Sequence, residues 1–290
     1  MRKKLTIFMA CLLLFGALFA RNSVSAHASA DYKVIGTNPQ YFTEKDRTVG
    51  KATFELVENG GTGYLYVSKN GKRILLVSGT GLEGSILTNG TTVYYSKRMD
   101  SYPYIVSTVY GIQSLGEKSK KLFSVKDYTS ISFYGYYSGK IYYGFGELDE
   151  EKVYSYSLKS GKKKKITEKN AAGVRQYGQY FYITPADGDY GPVTFRVYNA
   201  KTGKIKVVSK NMLNYNILFN YVYYVEAKSS GVTSGANRKI YYNVRVKKCK
   251  LNGSNKKTLV KDLRVTGVEK ISKNSITYFD VKGRKRIKRF

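Results

Sequence analysis

One pattern limits what this chain can fold into: a short run of apolar and aromatic residues, then a glycine turn, about every forty residues. Six such triplets begin at residues 65, 93, 141, 181, 222 and 276, a mean spacing of about 42 residues. They are Leu65-Tyr66-Val67, Val93-Tyr94-Tyr95, Ile141-Tyr142-Tyr143, Phe181-Tyr182-Ile183, Val222-Tyr223-Tyr224 and Ile276-Thr277-Tyr278. Repeats of roughly 40–45 residues are typical of four-stranded propeller blades.

Glycine turns with basic residues behind them separate the strands of each repeat. Examples are "NGKRI" from Asn70, "SGKKKKI" from Ser160 and "KGRKRI" from Lys282. Glycine supplies the positive φ that tight hairpins need, and short apolar strands follow these turns. No segment shows a sustained 3.6-residue apolar period, so we expect little helix. The pattern predicts an all-β β-propeller of six blades with three to four antiparallel strands each, with five or seven blades as alternatives.

The predicted blades span 40–79, 80–125, 126–168, 169–209, 210–260 and 261–290. The last of them is short and lacks a fourth strand. The segment "DYKVIGT" from Asp31 could supply it by pairing the two ends of the chain. Such closure would remove the unpaired edges that an open ring exposes.

The first thirty residues have the features of a secretory signal peptide. Three basic residues precede the apolar stretch Leu5 to Ala20, and small-residue cleavage sites end at Ala26, Ala28 or Ala30. The apolar stretch of 16 residues is shorter than the ~20 residues that span a bilayer. We therefore predict a signal peptide over 1–30, a single propeller domain over 31–290, and a secreted protein without a membrane span.

Cleavage after Ala30 would change the chemical inventory. The only histidine, His27, and one of the two cysteines, Cys11, would leave with the leader. The charge of the remaining 260 residues would fall from +30 to +26, because four basic residues and no acidic ones are removed. Catalytic triads that depend on histidine, histidine-ligated metals and an intrachain disulfide are then excluded. We expect no metal and no cofactor.

A family resemblance lies in "CKLNGSNKKTLV", from Cys249 to Val260, and in the "IYY" strands. This cadence resembles the blades of low-density-lipoprotein-receptor-type propellers and of their TolB-like bacterial relatives, including tyrosine-rich secreted ones. The rhythm covers most of residues 40–290. The receptor family's YWTD signature is absent, so the resemblance implies the fold and does not imply the receptors' ligands.

Basic residues recur in the same phase of several repeats, after the glycine turns. If the repeats are blades, these cations gather on an outer rim that can attract anionic polymers. A lysine run taken alone is more often a solvated edge strand than a binding site. The predicted binding residues are Lys162, Lys163, Lys164, Lys165, Lys256, Lys257, Arg284, Lys285 and Arg286, and Lys118, Lys120, Lys121, Lys288 and Arg289 share their phase.

Acidic and thiol groups give weaker signals. Glu147, Asp149, Glu150 and Glu151 are predicted to form a charged hairpin loop, and Asp187 and Asp189 to lie in a turn. Cys249 has a lysine on each side, which could lower its pKa. Without a partner base it is better explained as an incidental strand thiol.

These observations predict a non-enzymatic binding or scaffold propeller that is extracellular, cell-wall associated and monomeric. Its expected partner is an anionic cell-wall polymer or another protein, and export argues against a nucleic acid. The alternative is an extracellular carbohydrate-active enzyme, a glycosidase or polysaccharide lyase, that uses carboxylates or tyrosine. A structural role in a spore or biofilm matrix is also compatible with the sequence.

Overall fold

The computed structural model describes residues 32–146, 151–167, 171, 173–185, 191–232 and 239–290. These residues form strands, turns and irregular segments and no helix, so the all-β prediction is confirmed. No helix able to cross a membrane occurs in these ranges. The predicted signal peptide lies outside them.

Unit 1, the first of two compact units, comprises the described residues up to Gly146 together with Val153–Ile166. It holds three sheets in which neighbouring strands are antiparallel. Sheet I contains, in order, β2 (Thr48–Val49), β3 (Ala52–Asn59), β4 (Thr62–Lys69) and β5 (Lys72–Gly79). Sheet II contains β1 (Lys33–Gly36), β6 (Leu82–Thr88), β7 (Val93–Ser101), β8 (Tyr104–Ile112) and β9 (Lys120–Asp127). Sheet III contains β10 (Ser132–Tyr137), β11 (Lys140–Phe145), β12 (Lys152–Ser157) and β13 (Lys163–Lys165).

Unit 2 comprises Glu151, Lys152 and the described residues from Thr167 to Phe290, and it holds two sheets. Sheet IV has seven strands in chain order: β14 (Gly173–Tyr177), β15 (Tyr180–Thr184), β16 (Val193–Asn199), β17 (Lys204–Leu218), β18 (Tyr221–Val232), β19 (Ile240–Lys250) and β20 (Lys257–Val265). Sheet V has three: β21 (Gly267–Ile271), β22 (Ser275–Phe279) and β23 (Lys285–Arg289). These up-and-down sheets have the strand order of propeller blades.

Each of the six triplets lies on a strand that pairs antiparallel with the strand directly before it, namely β4, β7, β11, β15, β18 and β22. Val93, Tyr94 and Tyr95 of β7 are each at most 1% exposed, which requires cover on both faces of the sheet. Side chains alternate, so Val93 and Tyr95 pack into the cluster shared with sheet I. Tyr94 packs into the cluster shared with Ile141 and Tyr143 of sheet III. The tyrosines thus form the core between stacked sheets.

Strand β17 serves two repeats at once. Its first part pairs with β16, as in Tyr198↔Ile205, and its second part pairs with β18, as in Ile217↔Val222. The two halves of sheet IV pack on one another around a buried cluster that includes Tyr182, Val222 and Cys249. The predicted boundary between residues 209 and 210 therefore falls inside a continuous strand. Five hydrogen-bonded sheets result from the described residues, and the count of six blades stays a prediction.

The expected pairing of the two chain ends is wrong. Strand β1 pairs antiparallel with β6 of sheet II, as in Val34↔Leu87, and not with β23. Ile35 of β1 is buried in the same cluster as Ile86, so pairing there both satisfies the edge of β6 and buries an apolar side chain. The prediction of a single domain over 31–290 remains open beside the two compact units.

Candidate functional site

The lysine run seen in the sequence forms β13, the edge strand of sheet III. Lys163, Lys164 and Lys165 pair with Tyr156, Ser155 and Tyr154 of β12. Because side chains alternate along a strand, Lys163 and Lys165 lie on one face of the sheet and Lys164 lies on the other. The run is therefore a solvated edge strand, which the sequence indicated as the more common structure for a lysine run. One face of this strand also lines a cleft.

That face borders a cleft of about 310 Å³, which we call the lysine cleft. Every lining residue belongs to unit 1, and they are Ser124, Val125, Lys126, Tyr143, Phe145, Tyr154, Lys163 and Lys165. The rings of Phe145 and Tyr154 stack with their centroids 4.6 Å apart, and Tyr143 lies 5.8 Å from Tyr154. Three lysines thus share one cleft with a stack of aromatic rings, and none of the lining residues is acidic.

The three lysines of the cleft have different surroundings. Lys163 donates a 2.7 Å hydrogen bond from Nζ to the carbonyl oxygen of Ser124, and its Nζ lies 5.2 Å from the ring centroid of Phe123. Burial lowers the pKa of Lys163. Lys126 places its Nζ 4.7 Å from the ring centroid of Tyr104. Lys163 therefore ties sheet III to sheet II, and Lys126 and Lys165 are the other two cations that line the cleft.

A buried hydroxyl lies beneath these groups. The hydroxyl of Tyr143 has no hydrogen-bond partner among the described residues, and burial raises its pKa. A phenol in this state stays neutral and retains both its donor and its acceptor. Because this oxygen is buried, it belongs to the core behind the cleft and does not reach a ligand there.

The other predicted cations lie on different sheets. Lys256 and Lys257 belong to unit 2, where Lys256 donates a 2.6 Å bond from Nζ to the carbonyl oxygen of Val208, and Lys257 begins β20. Lys285 pairs with Glu269 at 2.8 Å. Arg284 and Arg286 both pair with Asp280, at 3.1 and 3.2 Å. Much of the predicted basic rim is thus engaged within the protein.

Asp280 organises the turn before β23. Hydrogen bonds from the backbone N–H of Arg284, the side chains of Arg286 and Arg284, and the N–H of Lys282 lower the pKa of Asp280 to about 2. The carboxylate is therefore ionised over the whole physiological range and offsets part of the charge of β23. This surface is less cationic than its sequence implies.

Most of the acidic candidates lie outside the described residues, namely Glu147, Asp149, Glu150, Asp187 and Asp189. Glu151 is described, and burial raises its pKa to about 7. In the described ranges no three His, Cys, Asp or Glu side chains are grouped closely enough to hold a metal ion. Cys249 is buried, and burial raises the pKa of its thiol to about 11, so its neighbouring lysines do not activate it.

Sequence reasoning missed Lys126, Phe145 and Tyr154 as members of the cleft. Lys126 comes from sheet II and the two rings from sheet III, so only the stacking of the sheets brings them together. One local signal was present. The "YSY" strand and the "KKK" strand are joined by a short glycine turn, and hairpin pairing across it places tyrosines opposite lysines.

No family model and no curated protein sequence matches the chain. Three similar solved structures are TolB from Acinetobacter baumannii, a Listeria monocytogenes protein, and the β-propeller domain of the Trilobed protease from Pyrococcus furiosus. Their identities are 13%, 10% and 11%, and their TM-scores are 0.43, 0.47 and 0.42. The matches cover 81%, 89% and 81% of this chain and 56%, 78% and 76% of those chains, so this chain spans little more than half of TolB. TolB-like propellers are thus among the similar structures, and likeness at this level says nothing about function.

Proposed function

We propose that the protein is an exported, non-enzymatic binding protein that holds an anionic cell-envelope polymer in the lysine cleft. The observation that carries this proposal is that Lys126, Lys163 and Lys165 line one cleft together with the stacked rings of Phe145 and Tyr154. Cations that share one cleft with no acidic lining residue attract anionic groups together, and aromatic rings add contact area. The surplus of 50 basic over 20 acidic residues favours the same class of partner.

A charge-matched pair of double variants tests the cleft. Lys126→Gln with Lys165→Gln removes two cleft charges and leaves Lys163, which ties the sheets together. Lys51→Gln with Lys72→Gln removes two exposed charges from unit 1 outside the cleft and leaves the same net charge. Retention on purified cell walls should fall about tenfold for the cleft pair and less than twofold for the control, since each charged contact contributes about 0.5–1 kcal/mol.

The salt dependence of retention separates electrostatic binding from other kinds. Raising the ionic strength shortens the Debye length to about 8 Å at 0.15 M, so retention on cell walls should weaken steadily from low to high salt. Retention that ignores salt would contradict the proposal. Equal losses in the two double variants would also contradict it, because they would show that net charge alone drives adhesion.

A further inference from the structure

The hairpin between β17 and β18 carries a phenylalanine where the backbone favours other residues. Leu218 pairs with Tyr221, so Phe219 and Asn220 form a two-residue turn with φ angles of 48° and 64°. Turns with two positive φ values favour Asn and Gly, and a bulky side chain there is strained. Phe219 is 67% exposed, so burial does not offset this strain. Strain held at one exposed aromatic residue points to a use outside the fold.

Phe219 borders a second cleft, the Phe219 pocket, of about 450 Å³. All of its lining residues belong to unit 2, and they are Tyr180, Phe219, Asn220, Tyr221, Lys250, Leu251 and Asn252. Lys250 of β19 pairs with Tyr221 of β18, which places a cation beside an exposed ring. No acidic residue is part of this lining, and none of its residues belongs to the lysine cleft.

The two asparagines of the pocket have their side-chain oxygens engaged in hydrogen bonds within the protein. Oδ1 of Asn220 accepts a 3.1 Å hydrogen bond from the hydroxyl of Tyr177. Oδ1 of Asn252 accepts bonds from the backbone N–H and the hydroxyl of Ser254, at 3.0 and 2.7 Å. These bonds leave the Nδ2 groups of both asparagines to donate, and the ammonium of Lys250 has only donors. The pocket therefore suits a ligand rich in acceptors.

Further cations lie over the aromatic rings at the rim of the pocket. Nζ of Lys273 is 5.0 Å from the ring centroid of Phe219, and Nζ of Lys248 is 5.0 Å from that of Tyr221. Rings offer a flat apolar face to a sugar ring, and lysines and amide N–H groups fit a carboxylate and hydroxyl oxygens. A polyphosphate chain would satisfy the cations and leave the rings unused.

We propose that the Phe219 pocket binds an acidic saccharide, with a sugar ring against Phe219 and Tyr221 and its carboxylate at Lys250. The inference is independent of the lysine cleft, because the two share no residue and are tested by separate variants. The probes are hexagalacturonate, which has rings and carboxylates, cellohexaose, which has rings without charge, and polyphosphate, which has charge without rings.

The decisive variant is Phe219→Asn, because asparagine adopts positive φ more readily. By calorimetry we expect hexagalacturonate to bind wild type most tightly of the three probes, and about tenfold more weakly to Phe219→Asn. The same variant should unfold at an equal or higher temperature than wild type. Lys250→Gln should weaken hexagalacturonate about fivefold and leave cellohexaose unchanged. The controls Tyr102→Asn, at a fully exposed tyrosine of unit 1, and Lys210→Gln should change binding less than twofold.

Three results would overturn the proposal. If polyphosphate binds as tightly as hexagalacturonate, the aromatic rings play no part. If cellohexaose binds as tightly as hexagalacturonate, the carboxylate makes no contribution and Lys250 does not recognise it. If Phe219→Asn binds unchanged or lowers the unfolding temperature, Phe219 serves the fold.

Discussion

Some buried tyrosine hydroxyls in the core have a hydrogen-bond partner and others have none in the part of the chain that the structure describes. Tyr182 and Tyr224 lie in the same buried cluster of unit 2, and each is fully buried. The hydroxyl of Tyr182 donates a 2.8 Å bond to the carbonyl oxygen of Leu251, whereas the hydroxyl of Tyr224 has no partner among the described residues. A tyrosine hydroxyl is therefore satisfied at one position of this core and unsatisfied at another.

Replacing each of these tyrosines with phenylalanine should reveal the difference. Tyr182→Phe removes the hydrogen bond to the partly buried carbonyl oxygen of Leu251, so we expect the free energy of unfolding to fall by about 1 kcal/mol. Tyr224→Phe removes an unpaired hydroxyl, so stability should be unchanged or rise by about 1 kcal/mol. Urea unfolding of the pair measures both, and equal losses would show that packing outweighs hydrogen bonding at both sites.

Glu151 should make stability depend on pH. Burial raises its pKa from an ordinary 4.5 to about 7, so between these values the folded chain holds a proton that the unfolded chain has lost. Stability contributed by this group therefore falls as the pH rises through that window. Glu151→Gln should match wild type at pH 4 and exceed its free energy of unfolding by roughly 2–3 kcal/mol at pH 8.

Urea unfolding at several pH values measures this difference. The exposed Glu58→Gln is the control, and its difference from wild type should not change with pH. A difference between Glu151→Gln and wild type that is the same at pH 4 and pH 8 would show that folding does not raise the pKa of Glu151.

At the scale of elements, the turn between β5 and β6 carries the chain from sheet I to sheet II. Gly81 has a φ of 68°, and a Cβ there would lie 1.9 Å from the carbonyl oxygen of Arg98. Its own carbonyl accepts a 2.7 Å bond from the N–H of Arg98. A side chain would therefore oppose both the local conformation and the contact that fixes the turn.

Gly81→Ala should lower the free energy of unfolding by at least about 3 kcal/mol, since strain from positive φ adds to the displacement of β7. Gly71, in the β4–β5 hairpin, has a φ of 74° but open space around its Cβ position. Gly71→Ala should cost only about 1 kcal/mol. Chemical denaturation compares the two, and equal costs would mean that the contact with Arg98 yields easily.

The positions of the strands in the sequence were more predictable than the pairing and stacking of those strands. Local hydrophobic pattern places strands, so the six triplets and the hairpin turns could be found in the sequence. Which strands pair depends on residues that are far apart in the sequence. Strand β1 pairs with β6, where Ile35 is buried beside Ile86. The cleft combines residues from sheets II and III for the same reason: Lys126 is 37 residues from Lys163 along the chain. A single sequence gives no measure of which distant strands stack.

For the whole molecule, charge balance is the dominant feature. The chain carries 50 basic and 20 acidic residues, a formal charge of +30. Ion pairs such as Lys228–Asp262 and Arg73–Glu55 are exposed and stabilise little. Repulsion among the remaining cations opposes the folded state, and salt screens it.

We therefore expect added salt to raise the melting temperature. Between about 20 and 300 mM NaCl the Tm should increase by a few degrees, followed by calorimetry or circular dichroism. Potassium chloride serves as the control for specific ion effects and should give the same rise. A melting temperature that falls with salt would show that the ion pairs outweigh the repulsion.

Strand β17 has a consequence for how such a chain can change over generations. Where a loop separates two repeats, a gene rearrangement with its breakpoint in that loop can duplicate or delete either repeat without interrupting a strand. Between Lys204 and Leu218 there is no loop to cut, because one uninterrupted strand closes one repeat and opens the next. The two repeats it joins are inherited as a pair, and gene rearrangements that keep the protein folded should break the chain on either side of that pair.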